Sequence, residues 1–252
     1  MHALSASQLL SVWERALASP HAERALALLA LACPELSPQE LARLSVGRRD
    51  SLLLTLREWT FGPRLSCRAR CERCGEPLEL SFEVSDIRAV QSAAEGADAL
   101  TLSVDDYEVT FRLPNTQDLS AVAAEVGRGG EDLARARESL LARCVLRVLE
   151  RGEERAASVA ALPERVREAL EGRMAEADPQ SDVRLALSCP ACEHRWSVAF
   201  DIVSYFWDEI NAWAVRTLRE VHTLASAYCW REEDILAMSP WRRHAYLEMV
   251  GG

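Results

Sequence analysis

Two stretches of the chain alternate apolar and polar residues with period two, and they match position for position. In the first, Leu65, Cys67 and Ala69 precede a Cys71-x-x-Cys74 pair, and Leu78, Leu80 and Phe82 follow it. In the second, Val183, Leu185 and Leu187 precede Cys189-x-x-Cys192, and Trp196, Val198 and Phe200 follow it. Strict alternation presents one face of an extended segment to a core. Each stretch therefore predicts strand, cysteine turn, strand. The rest of the chain is patterned mainly at helical period.

Residues 5–62 predict helices. Ser5 is placed to cap a segment carrying Leu9, Leu10, Trp13 and Leu17, and Pro20 restarts the chain into an Ala/Leu-rich helix ending near Cys33. Ser37-Pro38-Gln39-Glu40 combines a capping box with proline at the first helical position. Gly47 is expected to break the chain before a helix over Leu52–Trp59, which Gly62-Pro63 ends. Residues 65–84 form the first hairpin. An insertion begins near residue 85, with a small, polar linker or loop over 91–99.

Thr101–Val104 and Glu108–Leu113 then flank Asp105-Asp106-Tyr107 and predict a second kind of hairpin, followed by a helix through Val126. Gly127-Arg128-Gly129-Gly130 lacks the preceding strand and the Lys-Ser/Thr partner of a phosphate loop, and reads as a turn. Helices are expected over 131–150 and 163–176, with a charged loop at 151–158. After the second cysteine hairpin come a long helix over 202–227, a short one over 231–238 and a last one from Ser239-Pro240 to Met249. The fold class is α+β, mainly helical. Residues 1–84 and 183–252 would form a helical domain with a split zinc ribbon, and 85–182 an inserted α/β subdomain.

One Cys-x-x-Cys supplies two thiolates at a fixed bite, and a tetrahedral metal needs four. Two such turns facing each other complete a site, so Cys71, Cys74, Cys189 and Cys192 are the candidate ligands of a structural Zn2+. Iron–sulfur ligation and a redox couple remain the alternatives. A thioredoxin-like dithiol starts a helix, whereas strands follow both pairs here. The spacing is unusual: residues 75–188 separate the pairs, where common ribbons use ~15–20. Cys67 aligns with Leu185 and reads as a core residue, as do the isolated Cys33, Cys144 and Cys229. His194 is a lesser candidate to replace a thiolate.

Composition narrows the partners. The formal charge of −10 and pI near 5.1 oppose general nucleic-acid binding, which depends on phosphate neutralisation. No apolar run is long enough to span a bilayer. Paired thiols with no secretion signal fit a reducing cytoplasm, where metal binding is favoured over disulfides. No catalytic constellation assembles: the sequence holds no Gly-x-Ser-x-Gly, His-Glu-x-x-His or Walker pattern, and the histidines are scattered. An enzyme acting on a small-molecule substrate is not expected. Five of the seven tryptophans lie at 196, 207, 213, 230 and 241. Aromatic and arginine residues favour interface cores, so Arg242, Arg243 and Tyr246 on the last helix are the candidate partner-binding residues. Trp241 is expected to pack on the chain's own long helix.

Gly47-Arg48-Arg49-Asp50 with Leu53–Leu56, the FRLP…DL stretch Phe111–Leu119, and the run from Phe206 through YCWREEDILAMSPWRRHAYLE carry a likeness. They resemble the T4-type phage baseplate family, the baseplate hub assembly chaperones found with phage tails and contractile injection systems. The resemblance implies a non-catalytic baseplate assembly factor or component. Its partners would be other baseplate and tail proteins, with assembly in the cytoplasm and retention in the finished particle left open. The alternative reading is a zinc-ribbon adaptor acting on nucleic acid or the transcription machinery.

Overall fold

A computed structural model describes residues 1–90, 98–126, 133–155 and 158–251. It is α+β, with helices predominating over small antiparallel sheets. In chain order the elements are α1 (Ala6–Ala16), α2 (His21–Ala32), α3 (Pro38–Arg43), α4 (Val46–Phe61), β1 (Arg64–Arg70), β2 (Pro77–Glu83), α5 (Val84–Ile87), β3 (Leu100–Val104) and β4 (Tyr107–Phe111). They continue with α6 (Thr116–Val126), α7 (Leu133–Cys144), β5 (Val145–Glu150), β6 (Glu153–Arg155), α8 (Glu164–Ala177), β7 (Arg184–Ser188) and β8 (Arg195–Ala199). The chain closes with α9 (Ile202–Tyr228), α10 (Glu232–Ala237) and α11 (Pro240–Gly251). No helix among the described residues is long and apolar enough to cross a membrane.

The chain divides into two compact units, Met1–Ser37 with Asp201–Gly252, and Pro38–Phe200. This differs from the expected division at 84/85 and 182/183. The cysteine hairpins group with the segment between them rather than with the terminal helices.

The terminal unit is helical and its two stretches meet through α9. Ser5 caps α1 by a reciprocal pair: Gln8 N–H donates to Ser5 Oγ at 3.3 Å and Ser5 N–H to Gln8 Oε1 at 2.9 Å. Leu10 of α1 joins Ala214, Val221 and Leu224 of α9 and Ile235 and Leu236 of α10 in one core. Trp13 Nε1 donates to Asn211 Oδ1 at 3.0 Å, and the Arg24 guanidinium lies 4.9 Å above the Trp207 ring. Asp201 caps α9, accepting from Val203 N–H at 3.0 Å, while its other oxygen meets His21 Nε2 at 2.7 Å.

In the larger unit the four-stranded sheet β3-β4-β5-β6 is antiparallel throughout. Val109, Phe111, Val145 and Val148 from the sheet pack with Leu141 of α7 and Val166 and Leu170 of α8. The helix expected over 131–150 is thus too long by one strand. Helical spacing of Leu141, Val145 and Leu149 fits 3.6 residues per turn, but pairing of Val148 with Val109 extends the segment. Tertiary pairing of β-branched residues wins over local periodicity. The charged loop expected at 151–158 likewise contains β6. The linker expected at 91–99 and the turn at Gly127–Gly130 fall wholly or largely outside the described residues.

Gly47 does not break the chain either. Ser45 caps α4 from Arg48 N–H, and Gly47 lies in the first turn. The reason for glycine is close approach: its N–H donates to Asp178 Oδ2 at 2.9 Å, and a Cβ would sit 2.0 Å from Asp178 Oδ1.

Candidate metal centre

The hairpins β1–β2 and β7–β8 each form a two-stranded antiparallel sheet. Their turns are superimposable in hydrogen bonding. Cys71 N–H donates to Glu76 O at 2.9 Å, and Cys189 N–H to His194 O at 2.8 Å. Gly75 N–H returns to Cys71 O at 2.9 Å, and Glu193 N–H to Cys189 O, also at 2.9 Å. The residue after the second cysteine has positive φ in both, +77° at Gly75 and +57° at Glu193. This tight turn aims both thiols of a pair to the same side.

The two turns bring all four thiols together. Cys71 Sγ lies 3.6 Å from Cys192 Sγ, and Cys74 Sγ lies 3.6 Å from Cys189 Sγ. All four sulfurs fall within 4.8 Å of one another. A tetrahedral ion with metal–sulfur bonds of ~2.3 Å requires sulfurs about 3.8 Å apart, so the residues fit a four-thiolate metal site. Leu78 and Trp196 pack beside the sulfurs.

The thiols divide their protons unequally. Burial pushes the Cys71 thiol up, but backbone N–H groups of Cys74 and Arg73 and the neighbouring thiols outweigh it and bring it down to about 6. Cys74 receives a stabilising backbone contact from Glu76, yet hydrogen bonding among the thiols and burial carry it to about 12. Cys192 is raised as well: the backbone contact of His194 and the Cys74 thiol hold it down, and burial with the Cys71 and Cys189 thiols overcomes that. A cluster of sulfurs at this separation cannot ionise together without a cation. A metal held by all four would displace the remaining protons.

His194 is not a ligand candidate in this geometry. Its ring stacks on Trp196, centroids 5.5 Å apart, and its carbonyl serves the turn. Cys67 lies on β1, opposite Leu80, away from the four-sulfur cluster. Cys144 is buried against the four-stranded sheet, where burial raises its thiol to about 12.

The C-terminal residues separate into two faces. Arg243 is buried and its Nε donates to Glu220 Oε2 at 3.0 Å. Tyr246 stands edge-on to Trp230 at 4.8 Å and to Tyr228 at 5.9 Å. Both residues bind α11 within its own unit, so Arg243 does not project toward a partner as expected. Arg242 is exposed, its guanidinium 5.8 Å from the Tyr246 ring, and Trp241 is 80% exposed. Trp241 is thus exposed and Arg243 buried, the reverse of the expected packing. Residues 241, 245, 246 and 249 span more than one helical face, and the spacing alone does not say which side meets α9.

A polar network absent from the sequence reading runs through the segments that carry the resemblance. The Arg49 guanidinium pairs with Asp50 at 2.8 Å and reaches Thr116 Oγ1 at 3.3 Å. Both terminal nitrogens of Arg112 donate to Asp118, at 2.6 and 2.8 Å. Asn115 and Asp118 bond reciprocally, side chain to backbone, at the start of α6. Val46 N–H donates to Pro114 O at 3.0 Å. The sequence signal was the co-occurrence of Asn115 and Asp118 as an Asx cap with Arg112 just upstream. These residues tie α4 to the sheet and to α6.

A family model described as T4 bacteriophage base plate protein matches residues 21–207. The Gly47–Asp50 and Phe111–Leu119 segments lie inside that match, and the run from Tyr228 to Glu248 lies beyond it. No curated protein and no solved structure matches the chain.

Proposed function

The chain belongs to the T4 bacteriophage base plate protein family, and on that premise we propose that it is a non-catalytic baseplate component or assembly factor of a contractile injection system. The family match over residues 21–207 carries the reading. Its partners are other baseplate proteins, and it meets them in the cytoplasm where the particle is built. The four-cysteine centre supports an architectural role: four thiolates fill a tetrahedral zinc ion and leave no position for an activated water. Cys71, Cys74, Cys189 and Cys192 would hold that zinc, which supplies folding energy by joining hairpins distant in sequence. The charge of −10 favours protein partners over nucleic acid.

Mass spectrometry of particles purified from a producing strain, beside particles from a strain lacking this gene, tests the reading. The expected result is loss of assembled baseplates in the deletion strain. Normal, functional particles without the protein would refute it. Metal analysis of protein purified without chelator tests the zinc separately, with about one ion per chain expected.

A further inference from the structure

The two cysteine hairpins touch at both ends and are parted between. At one end are the four sulfurs; at the other, Phe82 meets Phe200 edge-on with centroids 5.8 Å apart. Between them lies a cleft of about 560 Å³. Residues 80–82 of β2 and 183–187 along β7 line two of its sides, residues 86–89 and Pro179 complete the lining, and neither β1 nor β8 contributes. Two of the walls are therefore strand edges. Each hairpin is only two-stranded, so the outer edges of β2 and β7 have no strand partner among the described residues.

The register identifies which backbone groups are free. In an antiparallel pair, directly opposed residues alternate between exchanging hydrogen bonds and facing away. Cys189 bonds His194 and Val183 bonds Phe200. In the same register Leu185 and Leu187 bond toward β8, while Arg184, Ala186 and Ser188 turn their N–H and C=O outward. Cys71 bonds Glu76 and Pro63 bonds Val84. Leu78, Leu80 and Phe82 accordingly bond toward β1, and Glu79 and Ser81 face outward. Ser81, Arg184 and Ala186 all line the cleft. Both walls thus offer unpaired peptide groups to the same space.

The side chains agree. Leu78 and Leu187, nearest the sulfurs, are buried, whereas Leu80, Phe82, Val183 and Leu185 along the cleft are only partly covered. An inserted segment with apolar residues at alternate positions would complete that face. Its length is set by Val183–Leu187, about 16 Å at ~3.3 Å per residue, or roughly five residues.

We propose that this cleft receives an extended peptide segment of another baseplate protein, which adds as a strand between β2 and β7. The partner's identity as a baseplate protein rests on the function proposed above; the extended form rests on the cleft. An occupant bonded on both sides needs two free edges of its own. A second copy of this chain cannot supply that from these hairpins, because β2 and β7 are already paired on one edge. A helix offers no free edge at all. Strand addition of this kind draws affinity from main-chain bonds and selectivity from alternate side chains.

Ala186→Pro tests the proposal directly. It removes an outward N–H that the hairpin does not use, and proline is tolerated on such an edge. Each baseplate and tail protein of the same gene cluster would be purified with the full chain, and affinity measured by calorimetry. Binding should weaken by about tenfold or more in Ala186→Pro, while Ala186→Val, which keeps the N–H, should retain it. Amide exchange at Ser81, Arg184 and Ala186 of the wild-type chain should slow on complex formation, which decides the matter even if the proline variant unfolds. A complex that leaves those amides unprotected, or that forms equally with folded Ala186→Pro, overturns the cleft assignment and leaves the baseplate role standing. Failure of the wild-type chain to bind any of these proteins overturns the baseplate role and the cleft together.

Discussion

Both units join stretches that are far apart in sequence, and they do it in opposite ways. At the metal centre of the larger unit, Cys71 and Cys74 meet Cys189 and Cys192 with all four sulfurs within 4.8 Å of one another. In the terminal unit, residues 1–37 meet 201–251 through many modest contacts, among them the Leu10–Leu224 core, Trp13 on Asn211 and His21 on Asp201. Concentrated closure at that centre depends on four atoms and fails when one is lost. Distributed closure loses only a share of its energy with any single side chain.

The sharpest way to break this comparison is to remove one sulfur. Cys189→Ser is expected to abolish stoichiometric metal and to open both hairpins, because the ligand set is incomplete and binding energy is folding energy in such sites. The loss is expected to be several kcal/mol, below the ~10 kcal/mol or more of small zinc domains, since the four-stranded sheet has a core of its own. Cys67→Ser, on the same hairpin but outside the cluster, should keep the metal. Metal content by mass spectrometry and amide exchange over residues 64–83 and 184–199 check both. Retention of metal by Cys189→Ser would make the centre as tolerant as the helical unit and erase the contrast.

This contrast also explains what was legible in the sequence. The metal centre could be read because its geometry is local: a Cys-x-x-Cys turn flanked by period-two strands fixes the direction of both thiols whatever surrounds it. Only the pairing of the two turns needed tertiary information, and ligand count supplied it. The terminal helix could not be read in the same way. Arg243 and Trp241 are two positions apart, and which of them faces α9 is decided by the packing of Tyr246 against Trp230 and Tyr228. The α7–β5 boundary failed for a related reason, since Val145–Glu150 becomes a strand only by pairing with β4. Gly47 was visible as a helix breaker, but the carboxylate of Asp178 that explains it lies 131 residues away.

Within the distributed unit the largest single effect is expected at Arg243. It is 4% exposed and bonded to Glu220, whose side chain is 25% exposed. Arg243→Ala leaves that partly buried carboxylate unpaired and should cost about 2–3 kcal/mol, at or below the lower end for breaking a buried pair because water still reaches Glu220. Trp241→Ala, on the exposed face of the same helix, should change stability by less than about 0.5 kcal/mol. Chemical denaturation followed by tryptophan fluorescence separates the two variants. Equal effects would mean that α11 is not held by its inner face.

The helical unit should also respond to acid through Asp201. Burial alone would raise this carboxyl, but the contacts of His21, the Ser204 hydroxyl and the Val203 amide outweigh it and hold it at about 2, against an ordinary 3.8. The folded value is the lower one. The stabilisation is therefore fully present above pH ~4 and is lost as pH falls from there toward about 2. The side chain is 47% exposed, so screening limits the contribution to about 1 kcal/mol. Asp201→Asn keeps a competent cap and removes the charge. Denaturation midpoints between pH 2 and 6 should show a shallower acid limb in the variant, and an unchanged limb would locate the acid sensitivity elsewhere.

The smallest expected effect sharpens the comparison inside the metal centre itself. Gly75 and Glu193 occupy the same turn position with φ of +77° and +57°, one without a Cβ and the other with a full side chain. Left-handed backbone costs a residue with a Cβ about 1 kcal/mol, and glycine escapes that cost. A Cβ on Gly75 would meet no atom within 4 Å, so Gly75→Ala should lose about 1 kcal/mol from backbone strain with no clash. Glu193→Gly should gain slightly less, because glycine gives back part of the benefit as unfolded-chain entropy. Neither change touches a sulfur, so metal stoichiometry should hold while affinity in a competition titration with a chromophoric chelator moves by about fivefold or less in opposite directions. If Gly75→Ala instead released the metal as Cys189→Ser does, the turn backbone rather than the thiol set would be what closes the metal centre.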